Sequence, residues 1–256
     1  MARRIVFKFG SGILTSQERV DLDGEQLEKL TGAVAALRLA GNECVVVSSG
    51  AVAAGLPSFQ LKERPKVLSV LQACAAVGQT RLMHYYQTLF REHELHVGQL
   101  LLTHEDLRTP ERRENVSNTL NQLLSFSNIV PVINENDSVA VEELRYGDND
   151  LLSADVAKLI DADVLVLLTT VDGLLPPDSD QIIPQVDHID EVLGYATAEK
   201  GGFSVGGMAT KLRSAQRATE AGIDVYIANG RRPEQLGDLL AGKGIGTYFP
   251  GKVKMP

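Results

Sequence analysis

Cysteine and histidine are scarce in this 256-residue chain, and the scarcity narrows its chemistry. The two cysteines, Cys44 and Cys74, stand in apolar surroundings with no metal-ligand spacing, so both are read as reduced core thiols. The five histidines, His84, His93, His96, His104 and His188, form no HExxH or similar set, which argues against a structural zinc site. Cationic excess is missing too. A net charge of −8 argues against a general polyanion-binding surface, and so against a nucleic-acid partner, while leaving room for a local basic pocket. No apolar run approaches the ~20 residues of a membrane helix, so no membrane partner is expected. The opening MARRIVFKFG lacks a small-residue cleavage pattern and reads as a strand, which makes the cytoplasm the expected compartment.

The familiar nucleotide fingerprints are also absent. GxxxxGK[ST] occurs nowhere, and the loop after Lys8 misses GxGxxG because Thr15 stands at the third glycine. Neither Ser48 nor Ser49 sits in a GxSxG nucleophile elbow. A calcium loop starting at Asp148 fails, because Ser153 and Leu159 hold the places of its glycine and glutamate. Repeats, low-complexity tracts and Pro- or Ser-rich linkers are lacking, so residues 1–256 are expected to form one domain.

What is present alternates between strand and helix patterns. Strands are predicted at Arg4–Phe9, Glu43–Ser48, Val97–Leu102, Ile129–Ile133, Asp163–Thr169 and Asp224–Ala228. Helices are predicted near Gly24–Leu39, Lys66–His93, Glu111–Phe126, Leu151–Ile160 and Ala209–Ala221. Strands such as VVVS and VLVLLT are apolar without alternation, as expected where helices cover both faces of a sheet. The fold class is therefore α/β, a three-layer αβα sandwich around an open, mostly parallel sheet. Val139–Tyr146 and Gly246–Val253 read as extra extended pieces over an edge or a site.

The unusual residues follow strands: Lys8–Gly12, Ser48–Gly50, Asn134–Asp137 and Thr169–Gly173. In an open parallel sheet the carboxyl ends of the strands form the ligand crevice, so these segments should meet. KFGSGIL reads as a phosphate-approaching loop with Lys8 as point charge, or as a surface lysine before a turn. SSGAVAAG reads as an anion-binding helix start, or as an N-cap serine on a packed helix. GGMATKL places Lys211 where a helix dipole favours acidic residues, which an anionic ligand would relieve. Asn134, Asn136 and Asp137 could be turn residues, and Asp150 could cap a helix.

Taken together, VFKFGSGIL, VVSSGAVAAG, LQACAAVGQTRLM, HVGQLLLT, IVPVINENDSVA, GDNDLLSADVA, LLTTVDGL and GGMATKL resemble the amino acid kinase family over almost the whole chain. INEND followed by GDND resembles its glutamate-phosphorylating branch, which makes L-glutamyl 5-phosphate from ATP and L-glutamate at the start of proline synthesis. The resemblance implies that Lys8 and Lys211 contact the ATP phosphates and the transferring phosphoryl group, and that Asp150 holds both lysines. Ser49, Asp137 and Asn149 would bind glutamate. Thr169, Thr170, Val205, Gly206, Gly207, Met208, Ala209, Thr210 and Lys211 would line the nucleotide site. Mg²⁺ would be held mainly through the nucleotide phosphates, with no protein metal site.

It further implies a homo-oligomer (dimer or tetramer), feedback inhibition by proline and functional coupling to glutamyl phosphate reductase. Two departures affect the nucleotide site. Thr169-Thr170 replaces the usual Thr-Asp, and Ser204-Val205-Gly206-Gly207-Met208 replaces GTGGM. Many relatives carry a C-terminal PUA domain, which is not expected in a chain ending at Pro256. The rivals are a family member acting on another carboxylate or on a phosphate, and a non-catalytic amino-acid sensor on the same fold. A nicotinamide-dependent dehydrogenase is disfavoured by the missing fingerprint.

Overall fold

Apolar runs without alternation pair here as parallel strands, because helices cover the sheet on both sides. The structure is a computed structural model that describes residues 2–16, 21–139, 149–177, 179–198 and 207–252. Strand β1 is Arg4–Phe9, β2 Thr15–Ser16, β3 Asp21–Leu22, β4 Glu43–Ser48, β5 His96–Leu102, β6 Ile129–Glu135, β7 Val164–Thr169, β8 Asp224–Asn229 and β9 Thr247–Phe249. Seven of them form one sheet in the order β5-β6-β4-β1-β7-β8-β9, with β2 and β3 making a separate ribbon. Only β9 runs antiparallel in that sheet, against β8. The other six point their carboxyl ends to one edge.

The helices are α1 (Ser11–Leu14), α2 (Gly24–Leu39), α3 (Ala51–Gly55), α4 (Leu68–Arg91), α5 (His104–Arg108), α6 (Pro110–Leu124), α7 (Asn149–Leu159), α8 (Met208–Glu220) and α9 (Leu236–Leu240). Strand parity sorts them into layers. Ile5, Phe7 and Phe9 of β1 bury against Leu27 and Leu30 of α2 and Leu82 and Tyr86 of α4. Val6 points the other way, into a core with Leu120 of α6, Leu152 of α7 and Leu212 of α8. Each core spans the same sheet, so the three-layer expectation holds. Cys44 and Cys74 are buried thiols, and burial pushes Cys44 up to about 12.

Helix α2 matches its predicted span because both its ends are signalled. The Asp23 side chain accepts from the Gln26 N–H at 3.1 Å, and Gly41 follows the last turn at φ +93°. Strand β6 runs two residues longer than predicted, so Asn134 is a strand residue and not a turn residue. The turn comes later, where the Val139 N–H donates to the Asn136 carbonyl at 3.1 Å. The residues of KFGSGIL read as a loop are helical in part, with Ser11–Leu14 forming one turn that buries Ile13 and Leu14, and Lys8 is a buried rather than a surface lysine. Nor does a serine cap α3, since Gly50 holds its N-cap at φ +98°. Of the extra extended pieces, Gly246–Val253 contributes β9 at the sheet edge, and residues 140–146 lie outside the described residues.

Helices α3 and α4 touch backbone to backbone. A Cβ on Gly55 would lie 2.0 Å from the Cys74 carbonyl oxygen, and one on Gly78 would lie 1.8 Å from that of Ala51. Only glycine permits this approach. It sets the residue after Gly78, Gln79, beside the end of β6.

Candidate active site

Lys8 shares the parity of Val6 on β1, so its side chain emerges on the face covered by α7 and α8. Both helices begin at that point. Asp150 lies in the first turn of α7 and Lys211 in the first turns of α8. The Lys211 ammonium stands 3.1 Å from Oδ2 of Asp150, and the Lys8 ammonium pairs with Oδ1. The Thr210 hydroxyl adds a bond to Oδ2 at 3.0 Å. All three charged groups are buried, with Asp150 at 0% exposure and each lysine at 4%. Capping is not what this carboxylate does.

Burial alone would disfavour the Asp150 carboxylate. The charges of Lys8 and Lys211 outweigh that burial and hold its pKa below the ordinary 3.8. Two cations on one carboxylate give this trio a net positive charge. A buried, net positive trio beside a helix N-terminus suits an anionic ligand such as a phosphate.

A second, neutral cluster lies across β6. Parity sets Asn134 on the α4 face, where its Nδ2 donates to Oε1 of Gln79 at 2.8 Å. The Glu135 N–H donates to Oδ1 of Asn134 at 2.9 Å. Asn149 Nδ2 donates to that same Oδ1 and to Oγ of Ser49, at 3.1 Å each. Ser49 is placed by its own N–H, which donates to the Phe9 carbonyl at 3.1 Å. Beside this network opens a cleft of about 320 Å³, lined by residues including Ala51, Ala75, Gln79, Leu101, Asn136 and Asp137.

The structure therefore joins Lys8, Asp150 and Lys211 in one cluster and Ser49 and Asn149 in another, with consecutive residues Asn149 and Asp150 linking the two. Asp137 faces the cleft that Gln79 also lines. Thr169 ends β7 next to β1, and a Cβ on Gly12 would meet the Thr170 methyl at 3.2 Å, so these strand ends touch. Gly207 is the N-cap of α8, and Met208, Ala209 and Thr210 form its first turn. Val205 and Gly206 lie outside the described residues, as do Asp148 and Ser204.

Sequence reasoning missed Gln79 and Arg64. Gln79 carried a readable signal, since it interrupts the buried stripe Leu71, Cys74, Ala75, Gly78 and Leu82 of α4. Arg64, in the loop before α4, senses the Asp137 carboxylate, whose charge opposes the burial that disfavours the guanidinium. No periodicity marks it. Among the described residues no group of three or more His, Cys, Asp or Glu side chains converges in a way that could hold a metal ion. No described helix is long and apolar enough to cross a membrane.

The open parallel sheet, with a lysine-aspartate cluster at its carboxyl edge, defines an α/β protein with an anion-binding crevice, and comparison with known proteins narrows the class. The profile of the Amino acid kinase family matches residues 3–229, and the chain belongs to that family. Its similarity runs to proteins named glutamate 5-kinase. That of Clostridium acetobutylicum is 44% identical, over 98% of this chain and 96% of its own length. That of Thermus thermophilus is 46% identical over 97% of this chain and 67% of its own length. Among solved structures, a Giardia carbamate kinase superposes with a TM-score of 0.68 at 16% identity, covering 98% of this chain and 99% of that one. An N-acetylglutamate synthase from Neisseria gonorrhoeae gives 0.68 at 17% identity, covering 98% and 62%. At these identities both speak to the fold alone.

Proposed function

We propose that the chain phosphorylates the side-chain carboxylate of L-glutamate with ATP, releasing ADP and L-glutamyl 5-phosphate. The observation that carries this reading is the buried Lys8–Asp150–Lys211 cluster, joined through Asn149 to a neutral polar network beside a cleft. The 42–46% identity to glutamate 5-kinases supports the choice of substrate.

The nucleophile is a carboxylate, already ionised at neutral pH, so the reaction needs no general base. A carboxylate oxygen attacks the γ-phosphorus in line, the bond to the β–γ bridging oxygen breaks, and its electron pair leaves with ADP. The protein's task is to hold two anions together and to spread charge as the phosphoryl group moves. Lys8 and Lys211 face the phosphoryl oxygens from β1 and from the start of α8. Asp150 keeps two mutually repelling ammonium groups at a fixed spacing. Ser49 and Asn149 bind the glutamate, with the Ser49 hydroxyl, held by Asn149 Nδ2, as donor to the reacting carboxylate, and Asp137 pairs with the substrate ammonium. Thr169, Thr170 and the stretch from Val205 to Lys211 line the nucleotide side. Mg²⁺ bound through the nucleotide phosphates supplies further charge neutralisation.

We infer further that one domain carries this activity and that the protein works in the cytoplasm as a homo-oligomer. Proline would act as feedback inhibitor, and glutamyl phosphate reductase would take the labile acyl phosphate. The central test traps the acyl phosphate with hydroxylamine while ADP release is followed over a panel of carboxylates. Hydroxamate that depends on both glutamate and ATP is the expected result, and its absence sinks the assignment.

A further inference from the structure

We propose that Gln79 is a substrate-positioning residue whose amide N–H groups receive the α-carboxylate of the amino acid, with its orientation imposed from the Glu135 backbone N–H through Asn134. This rests on the glutamate reading above and adds to it a residue and a direction for the substrate.

The two ends of a side-chain amide have nearly the same shape, so orientation follows from partners that can act in only one sense. A backbone N–H can only donate. The Glu135 N–H therefore faces Oδ1 of Asn134, at 2.9 Å. Asn134 must then present Nδ2 to Gln79, so the Gln79 atom 2.8 Å away is its acceptor, Oε1. What remains to Gln79 is its donor, Nε2. By the same logic Asn149 turns Nδ2 toward Oδ1 of Asn134 and keeps Oδ1 for itself.

The two atoms left over in this chain, Gln79 Nε2 and Asn149 Oδ1, are buried and have no hydrogen-bond partner among the described residues. Such groups are rare in folded proteins and call for an explanation. Gln79 is only 9% exposed, yet it lines the cleft that also holds Asp137. A two-proton donor and a carboxylate on one cleft match the head of an amino acid, one anion and one cation. With the head there, the side chain extends past Asn149 toward the lysines. Replacing the α-carboxylate by an amide would leave Gln79 one acceptor oxygen in place of two and would remove the negative charge.

The test compares L-glutamate with its α-amide as substrates for the wild type, Gln79→Glu and Gln79→Met, reading hydroxamate. Gln79→Glu keeps an acceptor for Asn134 and replaces the donor by a negative charge. It should raise the glutamate KM by roughly 10- to 100-fold with kcat little changed, and lower the preference for glutamate over the α-amide by a similar factor. Gln79→Met, which removes the donor without adding charge, should lower that preference to a lesser degree and serves alone if the Glu variant does not fold. An unchanged glutamate-to-amide ratio in a folded variant overturns this proposal while leaving the glutamate kinase reading intact. A fall in kcat at constant KM overturns it too. A wild type that makes no glutamate-dependent hydroxamate removes both.

Discussion

Two polar clusters are buried at the same sheet edge, and they are built on opposite principles. Lys8, Asp150 and Lys211 form an ionic cluster in which one carboxylate and two ammonium groups make each other's burial tolerable. Gln79, Asn134, Asn149 and Ser49 form a neutral one in which each dipole fixes the sense of the next. An ion cluster loses its balance when one member goes, because the survivors stay buried without their counter-charge. A dipole chain loses only a bond or a direction. The first arrangement suits stabilising charge that moves. The second suits recognising charge that stays in place.

The widest gap between the two should come from turnover. Lys211→Met should lower kcat by about 10²- to 10³-fold, the scale of losing a charge-stabilising donor, and barely move the glutamate KM. Steady-state kinetics at saturating ATP would measure it, and a loss confined to KM would show that the clusters' roles are reversed. Folding should suffer next. Gly78→Ala drives a methyl group into the Ala51 carbonyl and should cost about 1–3 kcal/mol, or more where the helices cannot part, by urea denaturation. Gly237→Ala in α9 meets nothing within 4 Å and should hold or gain stability in the same assay.

Asp137→Ala should raise the glutamate KM by about 10-fold through loss of one charge-assisted contact, with kcat nearly preserved. Equal losses in kcat and KM would merge the two clusters into one function. The smallest effect is one of acidity. Because the folded Asp150 pKa lies below 3.8, its contribution to stability is complete above that value and is lost as pH falls through the lower folded pKa. Urea midpoints of the wild type and Asp150→Asn should therefore differ most at neutral pH and draw together below about pH 4. A gap of constant size would mean that the carboxylate's charge is not what stabilises the cluster.

Much of the fold was legible because its signals are local. Strands Arg4–Phe9 and Glu43–Ser48 are short apolar runs between turn residues, and both ends of Gly24–Leu39 are marked by side chains or glycine. The helix start in SSGAVAAG was legible but its cap was not, since Gly50 holds it at a positive φ, and the ribbon of β2 and β3, which depends on pairing across the chain, was not legible. Lys8 stood out at the end of a strand and Asp150 and Lys211 at the starts of helices, and the parity of Lys8 on β1 then accounts for their meeting. The neutral cluster was half hidden. Asn149 and Ser49 lie in conspicuous motifs, whereas Gln79 meets Asn134 only because two glycines let helices touch.

That contact between α3 and α4 also bears on substrate length. Ser49 lies just before the short helix and Gln79 follows the glycine seated on it, so the two are held apart by backbone against backbone. No side chain lies at those two contacts to yield or swell. With Gln79 at the head of the substrate and Ser49 at its reacting end, as proposed above, the span between them would be gauged by rigid parts. An amino acid one methylene shorter, such as aspartate, cannot reach both ends of the gauge and should be rejected by distance, with no residue needed to repel it.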